Sequence, residues 1–185
     1  MEKILFINAC IRPNSRTLEL AKYVLEQLSG NVEEVKLYEE NLSPLTLEEM
    51  GLREKAAKSK DFSDGIFRLA NQFACADVIV FAAPYWDLMF PAVFKNYIEK
   101  ITVNGLTFAY GKNGIPYGLC NAKRLIYVTT AGGPIKCNFG YEYVEALAKS
   151  FYGIKEILCV KAEGLDIYGA DTLAILENAK KSFKK

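Results

Sequence analysis

The chain of 185 residues contains no histidine. That absence excludes Ser-His-Asp triads, Cys-His pairs, histidine-ligated metals and any imidazole proton relay. Charge of one sign is also missing: 23 Lys and Arg against 22 Asp and Glu leave a formal net charge of +1. Such a balance supplies neither a basic field for nucleic acid nor a polybasic patch for a membrane, so a small-molecule or protein partner is expected. No apolar stretch approaches the roughly 20 residues needed to span a bilayer. The run Ile4-Leu5-Phe6-Ile7 is too short for a signal-peptide core, and no small-residue cleavage site follows it. Cys-x-x-Cys spacing is absent from the five cysteines, which argues against a disulfide framework or a zinc ribbon and suits a reducing cytoplasm. Cys75, Cys120, Cys137 and Cys159 are expected to be small core hydrophobes. Cys10 alone sits where chemistry is in reach. Glycine patterns for dinucleotides and nucleoside triphosphates are missing as well, which disfavours a Rossmann dehydrogenase.

What is present is an alternation of strand and helix. Hydrophobic residues make up 51% of the chain, and its length suits one domain over residues 1–185 with a single substantial core. Residues 3–9 form a continuous apolar run, as expected of a strand buried on both faces. Residues 15–29 place Leu18, Ala21, Leu25 and Leu28 on one helical face, with Gly30 just past the end. A short second strand is expected over 32–37. Residues 38–61 are charged and read as a solvated loop with some short helix. Phe62, Ile66, Leu69 and Phe73 resume helical spacing, followed by strands at 77–83, 123–129 and 154–160 and helices at 91–101, 140–151 and 170–183. The glycine-rich segment 105–118 alternates like an exposed strand or hairpin arm. Lys180-Lys181 and Lys184-Lys185 suit a helix C-terminus. Together these elements predict an α/β architecture with a parallel sheet covered on both faces.

In such sheets the ligand crevice lies at the carboxyl ends of the strands. Three loops reach that edge. The first, Cys10-Ile11-Arg12-Pro13-Asn14-Ser15-Arg16-Thr17, places two arginines beside a helix N-terminus, where the macrodipole disfavours cations unless an anion is present. Ser15 is a candidate N-cap and Thr17 adds a hydroxyl, so the loop points to a phosphate-sized anion. The second, residues 83–91, is aromatic and apolar and suits a broad planar ligand such as an isoalloxazine ring. The third, Thr129-Thr130-Ala131-Gly132-Gly133-Pro134, carries paired glycines that allow positive φ and close backbone approach.

The first loop admits two chemistries. Cysteine, five residues, arginine and a hydroxyl residue after an N-terminal strand resemble the low-molecular-weight protein tyrosine phosphatases. That resemblance would make Cys10 a nucleophile, Arg16 the grip on the phosphoryl group and Asp166, in Asp166-Ile167-Tyr168, the nearest candidate acid. Pro13 removes one backbone donor from such a loop, and the family's Asp-Pro-Tyr proline is absent.

The three loops together resemble the flavodoxin-like FMN-dependent NAD(P)H quinone reductases and azoreductases. The first loop is similar to that family's Ser-x-Arg-x-x-Ser-x-Thr/Ser motif, with Cys10 where serine is usual. Residues 83–101 resemble its Ala-Pro-Met-Tyr-Asn-Phe segment and following helix, with Tyr85-Trp86-Asp87 in place of Met-Tyr-Asn. Residues 105–110 resemble Gly-x-Thr-Phe-x-Tyr, and Thr130 to Gly133 its Ser/Thr-x-Gly-Gly turn. The resemblance implies a doubly wound five-stranded parallel sheet of order 2-1-3-4-5, binding FMN and using NADH or NADPH to reduce quinones or azo compounds by a ping-pong, two-electron route. It implies cofactor contacts at Cys10, Arg12, Ser15, Arg16, Thr17 and Leu18, at Pro84, Tyr85, Trp86, Asp87 and Leu88, and at Thr130, Ala131, Gly132 and Gly133. Phe108, Tyr110 and Tyr117 are candidates to line the acceptor pocket. No catalytic side chain is assigned, and protons are expected from water or tyrosine. A homodimer is implied, with Phe90, Phe94 and Tyr97 as candidate contacts. An electron-carrier flavoprotein is the non-enzymatic alternative.

Overall fold

The computed structural model describes residues 1–183, so Lys184-Lys185 of the expected helix terminus lie outside it. Five parallel strands form the central sheet: β1 (Glu2–Asn8), β2 (Gly30–Lys36), β3 (Val78–Ala82), β6 (Arg124–Thr130) and β7 (Glu156–Ala162). Their order is β2-β1-β3-β6-β7, which is the expected 2-1-3-4-5 once the two short strands outside the sheet are set aside. Those strands, β4 (Phe108–Tyr110) and β5 (Pro116–Gly118), pair antiparallel as the hairpin anticipated within residues 105–118.

The central strands read as continuous apolar runs because alternate side chains feed two separate cores. Leu5, Ile7, Ile79, Phe81, Leu125 and Tyr127 face one core. Ile4, Phe6, Val78, Val80, Ile126 and Val128 face the other. Helices α1 (Arg16–Glu26) and α6 (Thr172–Ser182) cover the second core through Leu20, Ala21, Val24, Leu176 and Ala179. Helices α3 (Arg68–Cys75), α4 (Ala92–Ile101) and α5 (Phe139–Leu147) cover the first through Phe73, Phe94, Tyr97 and Val144. A π-helical stretch, Ala148–Tyr152, extends α5 and buries Tyr152, whose hydroxyl lies 2.6 Å from Thr102 Oγ1. No helix among the described residues is long and apolar enough to cross a membrane.

Three expectations are corrected. Residues 38–61 are not mainly loop, because α2 occupies Leu47–Ser59. It buries only Ala56 and is held by polar contacts instead. Thr46 and Glu49 form a capping box, with Glu49 N donating to Thr46 Oγ1 at 3.2 Å and Thr46 N to Glu49 Oε2 at 2.9 Å. Lys100 pairs with Glu49. The Arg53 guanidinium donates to the carbonyls of Glu99 and Lys100, each at 2.9 Å, and so caps the negative end of α4. Phe90, Phe94 and Tyr97, expected as a subunit contact, are instead core residues of the chain itself: Phe94 and Tyr97 are fully buried and Phe90 is 7% exposed. Among the cysteines expected in the core, Cys75 and Cys137 are exposed, and Cys120 and Cys159 are half-buried.

The α2 contacts set two expected outcomes. Arg53→Ala leaves the Glu99 and Lys100 carbonyls at the end of α4 without their charged donor and lowers stability by about 2 kcal/mol, measured by urea unfolding. Lys100 holds the Glu49 carboxyl below its ordinary value of 4.5. Its contribution is therefore complete above that value and is lost as pH falls through the lower folded one. Stability curves of Glu49→Gln and the parent should converge in acid and separate near neutrality.

A cleft at the carboxyl edge of the sheet

Four strands deliver their loops to one place. The loops after β1, β3 and β7 and the end of β6 with its following turn enclose a cleft of about 490 Å³ lined by Ile11, Arg12, Asn14, Ser15, Arg16, Thr17, Pro84, Tyr85, Trp86, Thr130, Gly132 and Asp166. The parallel sheet causes this convergence, because every crossover returns the chain to the same edge.

One end of the cleft is the start of α1. Ser15 is the N-cap, and its Oγ accepts from Leu18 N at 3.3 Å. The N–H groups of Arg16 and Thr17 have no carbonyl to bond within the helix. Thr17 Oγ1 lies 2.6 Å from Thr130 Oγ1, a buried pair that ties the first turn of α1 to the end of β6. Arg12 is exposed beside these donors. Hydroxyl, guanidinium, amide groups and helix dipole thus belong to one end of the same cleft, the donor set that an anion requires.

The other end is a wall from the second loop. Tyr85 N donates to Thr130 O at 3.1 Å, and Tyr85 Oη to Cys137 O at 2.7 Å. Trp86 and Met89 exchange backbone hydrogen bonds, Met89 N to Trp86 O at 2.8 Å and Trp86 N to Met89 O at 3.2 Å. The two residues between them, Asp87 and Leu88, have φ of 50° and 68°. This is a tight turn of the kind that normally takes Asn-Gly, built here from two side-chain-bearing residues in left-handed conformation.

Several expected contacts are relocated. Cys10 does not line the cleft. Its thiol faces Ala82 O at 3.8 Å, and burial pushes its pKa up to about 11 against the opposing hydrogen bond from Ser15. Leu18 packs on the second core. Asp87, Leu88, Ala131 and Gly133 lie outside the cleft lining. Ala131 is buried, its N–H spent on Ala162 O, while Asp87 and Leu88 project from the turn into solvent. Neither Gly132 nor Gly133 has positive φ; the Asp166 carboxylate occupies the space that a Cβ at Gly132 would take. Phe108 is buried against Phe151 and lines a separate cleft with Met50, Arg53 and Val103. Tyr110 and Tyr117 are exposed on the hairpin, away from the cleft wall. Ile11 and Asn14 were not anticipated, although both stand within the first motif.

These positions remove the phosphatase reading. A cysteine nucleophile requires a lowered pKa and an open path to phosphate, whereas the Cys10 thiol is raised and turned inward. Arg16 and Asp166, the other two residues of that reading, are bound to each other at 2.8 Å.

A family model described as the flavodoxin-like fold matches residues 2–185. The chain belongs to the flavodoxin-like family. Its curated relatives include the FMN-dependent NADH:quinone oxidoreductase of Clostridium perfringens, 32% identical over 100% of this chain and 96% of the relative. FMN-dependent NADH:quinone oxidoreductase 2 of Clostridium acetobutylicum is 34% identical over 100% and 98%. Among solved structures, an azoreductase from Bacillus anthracis superposes on this flavodoxin-like chain with a TM-score of 0.83 at 27% identity, covering 98% of this chain and 96% of its own.

Thiol chemistry checks the placement of Cys10. Alkylation with iodoacetamide near neutral pH, mapped by mass spectrometry, should modify exposed Cys75 and Cys137 first and leave Cys10 largely unmodified. Fast modification of Cys10 would mean that its thiol is open and ionised.

Proposed function

We propose that this cleft holds FMN and that the chain is an FMN-dependent NADH:quinone oxidoreductase with azoreductase-type activity, working as a single domain in the cytoplasm. The observation that carries the reading is the donor set at the start of α1: Ser15, Arg12 and the first-turn residues Arg16 and Thr17 line the same cleft. It faces an aromatic wall, Tyr85 and Trp86, and a cleft of about 490 Å³ falls within the range of ligand pockets. The near full-length relatives bearing FMN and NADH in their names support the same assignment.

When bound, FMN would supply the hydride chemistry, taking hydride from the nicotinamide and giving two electrons to a quinone or azo acceptor in alternating half-reactions. The chain supplies position and field. Ser15 and the first turn of α1 hold the phosphate, and Arg12 balances its charge. Pro84, Tyr85 and Trp86 present a flat surface to the ring, which the Tyr85–Cys137 and Tyr85–Thr130 hydrogen bonds hold in place. Tyr85 is the tyrosine of the cleft wall, and its hydroxyl is already donated to Cys137 O. Protons are therefore taken from water. The relatives' names favour NADH over NADPH as donor. We also propose a homodimer, whose contact lies outside Phe90, Phe94 and Tyr97.

Purified protein reconstituted with FMN should be yellow and oxidise NADH on addition of a naphthoquinone, and sedimentation should give twice the mass of the chain. Protein that refuses FMN would sink the reading, and FMN binding without NADH oxidation would leave an electron carrier. Arg12→Ala and Ser15→Ala should each weaken FMN about tenfold in fluorescence titrations while leaving riboflavin, which lacks the phosphate, nearly unchanged.

A further inference from the structure

Asp166 is the acidic side chain in the cleft wall, the others there being neutral or basic among the described residues. A carboxylate beside a site for an anion works against that site. Its position is nevertheless built. Gly164, Leu165 and Asp166 donate their N–H groups to the carbonyls of Gly133, Ala131 and Gly132 at 3.0, 3.2 and 2.9 Å, which holds the loop after β7 against the loop after β6. Gly132 leaves the space that the carboxylate fills. Arg16 Nη2 then meets Asp166 Oδ1 at 2.8 Å, and Arg16 Nη1 donates to Leu165 O at 3.1 Å. The guanidinium nearest the start of α1 by sequence is thus occupied by an internal anion.

We infer that Asp166 is a specificity-determining residue that competes with the ligand phosphate for Arg16 and narrows the preference for a phosphorylated flavin over an unphosphorylated one. The inference rests on reading the cleft as the flavin phosphate site. The side chains of Arg16 and Asp166 are 33% and 65% exposed, so the pair contributes little to stability and is exchanged readily. A phosphate dianion is the stronger partner for a guanidinium, because it accepts two parallel hydrogen bonds with twice the charge. The displaced carboxylate stays in the cleft wall and repels the phosphate it has yielded to. Arg12, which has no such competitor in the cleft wall, carries the steady part of phosphate recognition.

The test is Asp166→Asn, which keeps the shape and an oxygen acceptor for Arg16. Apoprotein of parent and variant is titrated with FMN and with riboflavin by flavin fluorescence, at low and at high salt. Inorganic phosphate is followed separately through its shift of the melting temperature. The variant should bind FMN about threefold to fivefold tighter at low salt, with a smaller gain at high salt and unchanged riboflavin binding. Phosphate should stabilise the variant more than the parent. Unchanged or weaker binding of FMN and phosphate by the variant would show that Asp166 serves only to aim Arg16, and would overturn the inference. A parent that binds no flavin, with the phosphate difference intact, would overturn the proposed function and uphold the role of Asp166.

Discussion

A parallel sheet buried on both faces is the constraint from which the remaining features descend. Each strand must be apolar along its whole length, each connection must cross over as a helix, and every crossover must bring the chain back to the same edge. Polar residues are then pushed to the strand ends, where their backbone groups meet the turns. Thr17 and Thr130 show the result. They form a buried hydroxyl pair where α1 leaves one strand and β6 ends another. That contact fixes the angle between the helix start and the sheet edge, and so the distance from the anion donors to the aromatic wall.

The same constraint decides what was legible. Continuous apolar runs identify β1, β3 and β6 because their two faces feed two cores, and the helical stripes that pack on them are equally plain. Helix α2 is invisible to that signal. Its fold depends on a capping box, an ion pair and a guanidinium reaching the carbonyls of α4, none of which leaves an apolar period in the sequence. Phe94 and Tyr97 show the opposite error: an aromatic stripe beside a functional loop looks like a surface for a partner, yet the stripe is the face on which α4 packs against the sheet.

At the site, local motifs were readable and long-range ones were not. Ser15 as N-cap follows from the residues around it, as does the placement of Arg12 near the helix start. Asp166 meets Arg16 across 150 positions of sequence, and only the strand order brings them together. Cys10 was misplaced because its burial depends on how the chain leaves β1: the backbone N–H of Cys10 binds Asn8 Oδ1 at 2.9 Å, which turns the side chain towards Ala82 and away from the opening.

The turn from Trp86 to Met89 has a wider consequence. Its two backbone hydrogen bonds close it upon itself, so β3 and α4 are joined through a small closed turn whose tip, Asp87 and Leu88, stays exposed. Left-handed backbone at Asp87 and Leu88 costs on the order of 1 kcal/mol or more at each position, a local charge on stability that the deep aromatic packing of Phe81, Phe90 and Phe94 beneath it can absorb. Side chains at the tip are therefore open to replacement by selection without disturbing the sheet.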